Sequence, residues 1–143
     1  MSLQTSLTAW APRVLSVTRA IAGLLYMQHG LSKLFLFPGA MPGGSAVAAD
    51  PLSFMGFAGI LELAGGALVA VGLFTRPVAF ILSGMMAVAY FMVHAPRNFY
   101  PILNGGDLAI LFCFFFLYLT CAGGGVWSLD AMRARRMTEA AGG

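Results

Sequence analysis

Charged side chains are scarce in this sequence: 8 Lys and Arg and 5 Asp and Glu among 143 residues, or 9%, where a soluble domain carries roughly 25%. That excludes an ordinary water-facing surface. Cysteine is nearly absent too. Cys113 and Cys121 lie on one expected helix, separated by a rise of about 12 Å, so they cannot bridge each other. There is no CxxC, no CxxCH haem-attachment run, no glycine-rich nucleotide loop and no GxSxG elbow. These absences remove the usual signatures of a self-sufficient redox, nucleotide-dependent or hydrolytic enzyme. His29 and His94 have no characteristic ligand spacing, so no metal site is assigned and direct haem ligation is disfavoured.

What is present is apolar. The chain is 59% hydrophobic with a mean hydropathy of +0.86. Four stretches stand out: Val14 to Phe37, Phe54 to Phe74, Pro77 to Ala95, and Leu108 to Ala122, the last led in by Asn104. Each reaches or approaches the roughly 20 residues that a helix needs to cross a bilayer core of about 30 Å. The expected fold is therefore all-α: an integral membrane four-helix bundle, one domain over 1–143, with spans at about 14–37, 54–74, 77–95 and 104–122. A signal peptide fits the first stretch poorly, because Arg19 and Lys33 bracket it and no small-residue cleavage site follows.

An even number of spans puts both termini on one side. That side holds Arg13, Arg76, Arg133, Arg135 and Arg136, against Lys33 and Arg97 opposite. The positive-inside rule then places both termini in the cytoplasm and the protein in the cell inner (plasma) membrane. The net charge of +3 needs no nucleic acid. Its source is the tail WSLDAMRARR, an amphipathic segment with Trp127 at headgroup level, attracted to anionic lipid.

Within the spans, Glu62 is flanked at three and four residues by Ala58, Gly59, Gly65 and Gly66. Small residues there let another helix backbone approach, so the glutamate faces protein and needs a proton, a hydrogen bond or a cation. On the first span Arg19, Ala22, Gly23, Tyr26, His29, Gly30 and Lys33 share one face. His29 and Glu62 lie at similar depth and are expected to meet, with Arg19 nearer the cytoplasm. Span three lines up Ser83, Ala87, Tyr90 and His94, and span four Asp107, Leu111, Phe114, Tyr118 and Cys121. With these stripes inward, the bundle would hold a polar and aromatic site toward its outer end.

Each residue also has a plainer role. Asn104 and Asp107 fit a helix N-cap with an acidic third position, His94 fits a membrane-water interface, and Lys33 fits snorkelling to outer headgroups. Tyr26, Tyr90 and Tyr118 fit packing with a satisfied hydroxyl, and Arg76 fits a cytoplasmic anchor before Pro77. Glu62 and Arg19 are too costly in a span to be incidental, and require a function or an obligatory internal pair.

The segments RAIAGLLYMQHGLSKLF, GFAGILELAGGALVAVGLFTRP, SGMMAVAYFMVHAP and LNGGDLAILFCFFFLYLTCAGGGVWSLD resemble, in order and over nearly the whole chain, the DoxX family of bacterial membrane proteins. The resemblance implies a small four-helix inner-membrane protein associated with quinone-linked oxidation and, in some members, with membrane redox complexes. By position it covers Arg19, His29, Gly30, Lys33, Glu62, Arg76, His94, Asn104 and Asp107. It also implies an acidic residue in the third span, where this chain has Met85.

The leading functional expectation is a membrane component of a redox system. Arg19, Tyr26, His29, Lys33, Glu62, Tyr90, His94, Asn104 and Asp107 would form a site for quinone, with haem the lesser cofactor. The lipid bilayer, redox protein subunits and a second copy of the chain are the expected partners. No redox centre is encoded, so electron-carrying chemistry would belong to a cofactor or another subunit. The alternatives are a proton or small-solute pathway centred on Glu62, and a non-catalytic scaffold or assembly subunit.

Overall fold

The computed structural model describes residues 3–41 and 44–142, and among them it is all-helical. Helix α1 runs Leu3–Phe35, α2 Phe54–Val71, α3 Thr75–Ala89, α4 is the single turn Pro101–Asn104, α5 runs Asp107–Ala122 and α6 Leu129–Ala141. A π-helical segment, Tyr90–His94, continues α3. Pro96 has no N–H to close the α-helical bond back onto this segment, and Ala95 N–H instead reaches the Tyr90 carbonyl at 2.9 Å.

Among the described residues two helices are long and apolar enough to cross a membrane, Phe54–Val71 and Thr75–His94. Helix α1 is longer but diluted by Arg13, Arg19, His29 and Lys33, and α5 is apolar but only 16 residues. The first helix also begins well before the expected Val14. Leu3 to Arg13 extends it past the bundle, with Pro12 inside and Arg13 bonded back to the Ala9 carbonyl at 2.9 Å. The outward faces of the helices carry Ile21, Leu24, Phe57, Phe80, Leu111 and Phe114, all exposed. A surface of that kind belongs against lipid, as in a membrane protein.

The main seams are α1 against α2 and α3 against α5, with a lighter one between α2 and α3. The α1–α2 seam is antiparallel and built on glycines seven apart on each helix. A Cβ on Gly23 would lie 2.7 Å from the Gly66 carbonyl, and one on Gly30 would lie 2.5 Å from the Gly59 carbonyl. The small-residue flanks of Glu62 thus do what their spacing implies. Gly65 meets Leu82 of α3 instead. The core is Tyr26, Val69, Ala79, Leu82, Met86, Ala109, Phe116 and Leu119.

The inward face of α5 differs from expectation. Leu111, Phe114, Tyr118 and Cys121 are exposed, while Ala109, Phe116 and Leu119 are buried and Phe112 and Cys113 lie half-buried against the core. The two neighbouring helices offer apolar surface and the Ser83 hydroxyl, which donates to the Cys113 carbonyl at 2.8 Å. This α5 face fills that space better than the stripe ending in Tyr118.

Both termini lie at one end, where a junction joins four segments. Helix α2 ends on Gly72 at φ 70°, with Leu73 N–H bonded to the Leu68 carbonyl. Arg19, 2% exposed, donates Nε to the Gly124 carbonyl at 2.7 Å and Nη2 to the Trp127 carbonyl at 2.9 Å. Its Nη1 donates to the carbonyls of Val69 and Ala70 at the end of α2. Phe74, at φ 50°, starts α3 with no side-chain cap of its own. Asp130 supplies one from a distance, accepting from Phe74 N–H and Thr75 N–H at 2.8 Å each. Burial pushes this carboxyl up, but hydrogen bonds from Thr75 and Phe74 and the nearby Arg133 outweigh it and hold its pKa below the ordinary value. Ser128 caps α6, accepting from Ala131 N–H at 3.1 Å. The run GGGVWSLD is therefore a clasp between helix ends.

Candidate functional site

At the other end, two groups of polar side chains form. The first lies between α1 and α2. Lys33 and Glu62, with side chains 13% and 4% exposed, form an ion pair at 2.5 Å through Oε1. The chain's single lysine does not snorkel outward. Its ammonium lies instead against the Glu62 carboxylate, with its stem beside Gly59 of the seam. Glu62 Oε2 is buried and has no hydrogen-bond partner among the described residues.

Around this pair stand Tyr26 and His29, on the face of α1 that the sequence marks as polar. Tyr26 is 1% exposed and lies within electrostatic reach of Glu62. Its hydroxyl points to Met85 Sδ at 3.6 Å and its ring meets Phe116 edge-on at 4.9 Å. The Met85 that departs from the acid implied by resemblance thus sits against this phenol, offering only a weak acceptor. His29 does not meet Glu62. Its Nδ1 lies 3.3 Å from Met41 Sδ, and its ring stands edge-on to Phe112 at 6.4 Å. The 36–53 connection brings Met41 there by folding back over α1: Ser32 Oγ donates to the Gly39 carbonyl at 2.6 Å, and Ala49 N–H to the Lys33 carbonyl at 2.8 Å.

The second group lies on the π-helical segment and the turn before α5. His94 Nδ1 is 3.1 Å from the Asn104 carbonyl, and its ring stacks on Tyr90 at 6.4 Å with a 20° interplanar angle. Asn104 is buried, donates Nδ2 to the Asn98 carbonyl at 2.8 Å, and accepts from Gly106 N–H at 2.7 Å. It therefore closes the turn that precedes α5 and does not cap it; Gly106 holds the cap position, and Asp107 is an exposed first-turn acid. Among the described residues no hydrogen bond or ring contact joins the two groups. Nor do His29 and His94 face one another as a ligand pair.

Of the nine residues singled out in the sequence, Tyr26, His29, Lys33 and Glu62 come together, and Tyr90, His94 and Asn104 form a separate knot. Arg19 bonds to the carbonyls of Val69 and Ala70, seven and eight residues along α2 from Glu62 and so a rise of about 11 Å away, and its other donors go to the carbonyls of Gly124 and Trp127. Sequence reasoning did not reach Met41 or Asp130. Met41 carries no spacing signal from a long connection, whereas Asp130 stands in WSLD at the position a capping acid would take.

Chemically, the first group offers a carboxylate oxygen with spare acceptor capacity, an ammonium, an imidazole and a phenol, against a wall of Phe112 and Phe116. Among the described residues no group of His, Cys, Asp and Glu is arranged to hold a metal.

A 128-residue stretch is 40% identical to an uncharacterized protein of Haemophilus influenzae, covering 87% of this chain and 94% of that protein. No solved structure matches. The family model for DoxX matches residues 14–95, which include α2, α3 and every member of the Lys33–Glu62 group except Phe112 and Phe116. The chain belongs to the DoxX family.

Proposed function

We propose that this protein is an inner-membrane component of a redox system, and that the group around Lys33 and Glu62 binds the head ring of a membrane quinone. Helices α1, α2, α3 with its π-helical extension, and α5 cross the membrane as a four-helix bundle. Both termini face the cytoplasm, where Arg13, Arg76, Arg133, Arg135 and Arg136 gather. The observation that carries the reading is Glu62 Oε2, buried and without a hydrogen-bond partner among the described residues. A carboxylate kept in that state has acceptor capacity that the fold leaves unused. Tyr26 and His29 add groups able to exchange a proton with a quinone oxygen, and the phenylalanines provide the apolar surface a ring requires. The electrons come from a partner subunit or cofactor.

The test is to purify wild type, His29→Ala, Glu62→Gln and Asp107→Asn in mild detergent and quantify lipophilic quinones by mass spectrometry. The expected result is quinone above the lipid background in wild type and Asp107→Asn, with loss in His29→Ala and Glu62→Gln. Equal background levels in all four samples, with no redox protein retained, would leave the scaffold reading ahead.

A further inference from the structure

The junction at the other end of the molecule borders an open cleft of about 780 Å³ that the quinone reading does not use. Its walls come from α1, from the start of α3, from the end of α5 and from α6. We propose that this cleft seats the headgroup of one anionic phospholipid from the leaflet around the termini. The inference rests on the chain's membrane embedding and is independent of the quinone site.

The cleft lies at helix ends, which is headgroup level for helices that span. Helices α1 and α5 share no extensive seam, so their gap, between Leu15 and Tyr118, is where a lipid's chains can lie. Two arginines line the cleft, Arg76 and Arg135. Arg76 gives Nη1 to the carbonyls of Thr120 and Cys121, at 2.9 and 2.5 Å. That fixes the guanidinium, while Nε and Nη2 have no other partner among the described residues. Asp130 is the acid in the lining, and its two oxygens are already bonded to the Phe74 and Thr75 amides.

The floor of the cleft is fixed independently of the arginines: Thr75 lines it fully buried, with its hydroxyl beside the Asp130 carboxylate. A Cβ on Gly124 would come within 2.8 Å of that hydroxyl. Two arginines lining one cleft, with the acid beside them already engaged by backbone amides, are complementary to a phosphodiester. The volume suits a lipid headgroup, which falls in the usual range for small-molecule sites of about 300–1,000 Å³.

The test is native mass spectrometry of the full chain from mixed micelles containing equal phosphatidylglycerol and phosphatidylethanolamine, followed by thermal melts in each lipid alone. Wild type is expected to retain one phosphatidylglycerol, preferred over phosphatidylethanolamine by about fivefold per engaged arginine. Arg135→Gln should cut that preference about fivefold. Arg136→Gln, the same charge lost from the same helix outside the cleft, should leave retention unchanged. Melts in phosphatidylethanolamine alone report whether each variant still folds. If Arg135→Gln and Arg136→Gln lose retention equally, attraction is diffuse and the seat is refuted. Displacement of the lipid by inorganic phosphate would refute a lipid-specific site.

Discussion

A lysine and a glutamate removed from water stabilise one another only while both are present. Their desolvation is comparable to their attraction, so loss of one partner leaves the other charge stranded. Lys33→Met is therefore expected to cost about 3–5 kcal/mol of unfolding free energy in detergent. Lys33→Met combined with Glu62→Leu should recover most of it. A double variant as unstable as the single one would mean that the pair's value lies in packing and not in charge. Asp130 gives a second expectation with a definite sign. Its folded pKa lies below the ordinary 3.8, so its stabilisation is complete above the unfolded value and disappears as pH falls through the folded one. The stability gap between wild type and Asp130→Asn should be constant above about pH 5 and close below about pH 4. A gap that does not change with pH would show that the Phe74 and Thr75 amides do not depend on the charge.

Among the helices, the α1–α2 seam carries the most specific packing. Gly23 and Gly66 lie where a side chain would meet opposing backbone within 3 Å, and backbone cannot yield as a flexible side chain can. Gly23→Val or Gly66→Val should cost about 1–3 kcal/mol or more by forcing the helices apart. Gly84 of α3, where a Cβ meets nothing within 4 Å, should accept alanine with a gain of up to about 1 kcal/mol. Comparable losses at Gly23 and Gly84 in thermal melts would contradict the seam. The same contrast explains which helix faces were legible. On α1, polar and small residues recur on one face amid apolar ones, so the buried side from Arg19 to Lys33 could be read directly. Helix α5 is apolar nearly all round, and periodicity then ranks no face. Its orientation is set by Ser83, Leu82 and Tyr26 on other helices. The pairing of Lys33 with Glu62 was not legible for a related reason: spacing gives its position at the end of a span but not the direction its flexible stem takes.

Over the whole molecule, the two ends do different work. The end carrying the termini is held by Arg19, Asp130 and Arg76, whose bonds run largely to backbone groups distant in sequence, which is why WSLD and GLFTRP could be noticed but not joined. The opposite end keeps a buried carboxylate oxygen without a hydrogen-bond partner among the described residues, within electrostatic reach of a phenol. That asymmetry is the central claim, and photoaffinity labelling tests it most directly. A short-chain quinone carrying an azide is photolysed with the purified protein, with and without excess unmodified quinone, and labelled peptides are mapped by mass spectrometry. The account predicts labelling of the Tyr26–Lys33 segment and of the peptides carrying Met41 and Met85, suppressed by excess quinone and lost in Glu62→Gln. Labelling spread over the lipid-facing sides of α2, α3 and α5, insensitive to competitor and to Glu62→Gln, would contradict it.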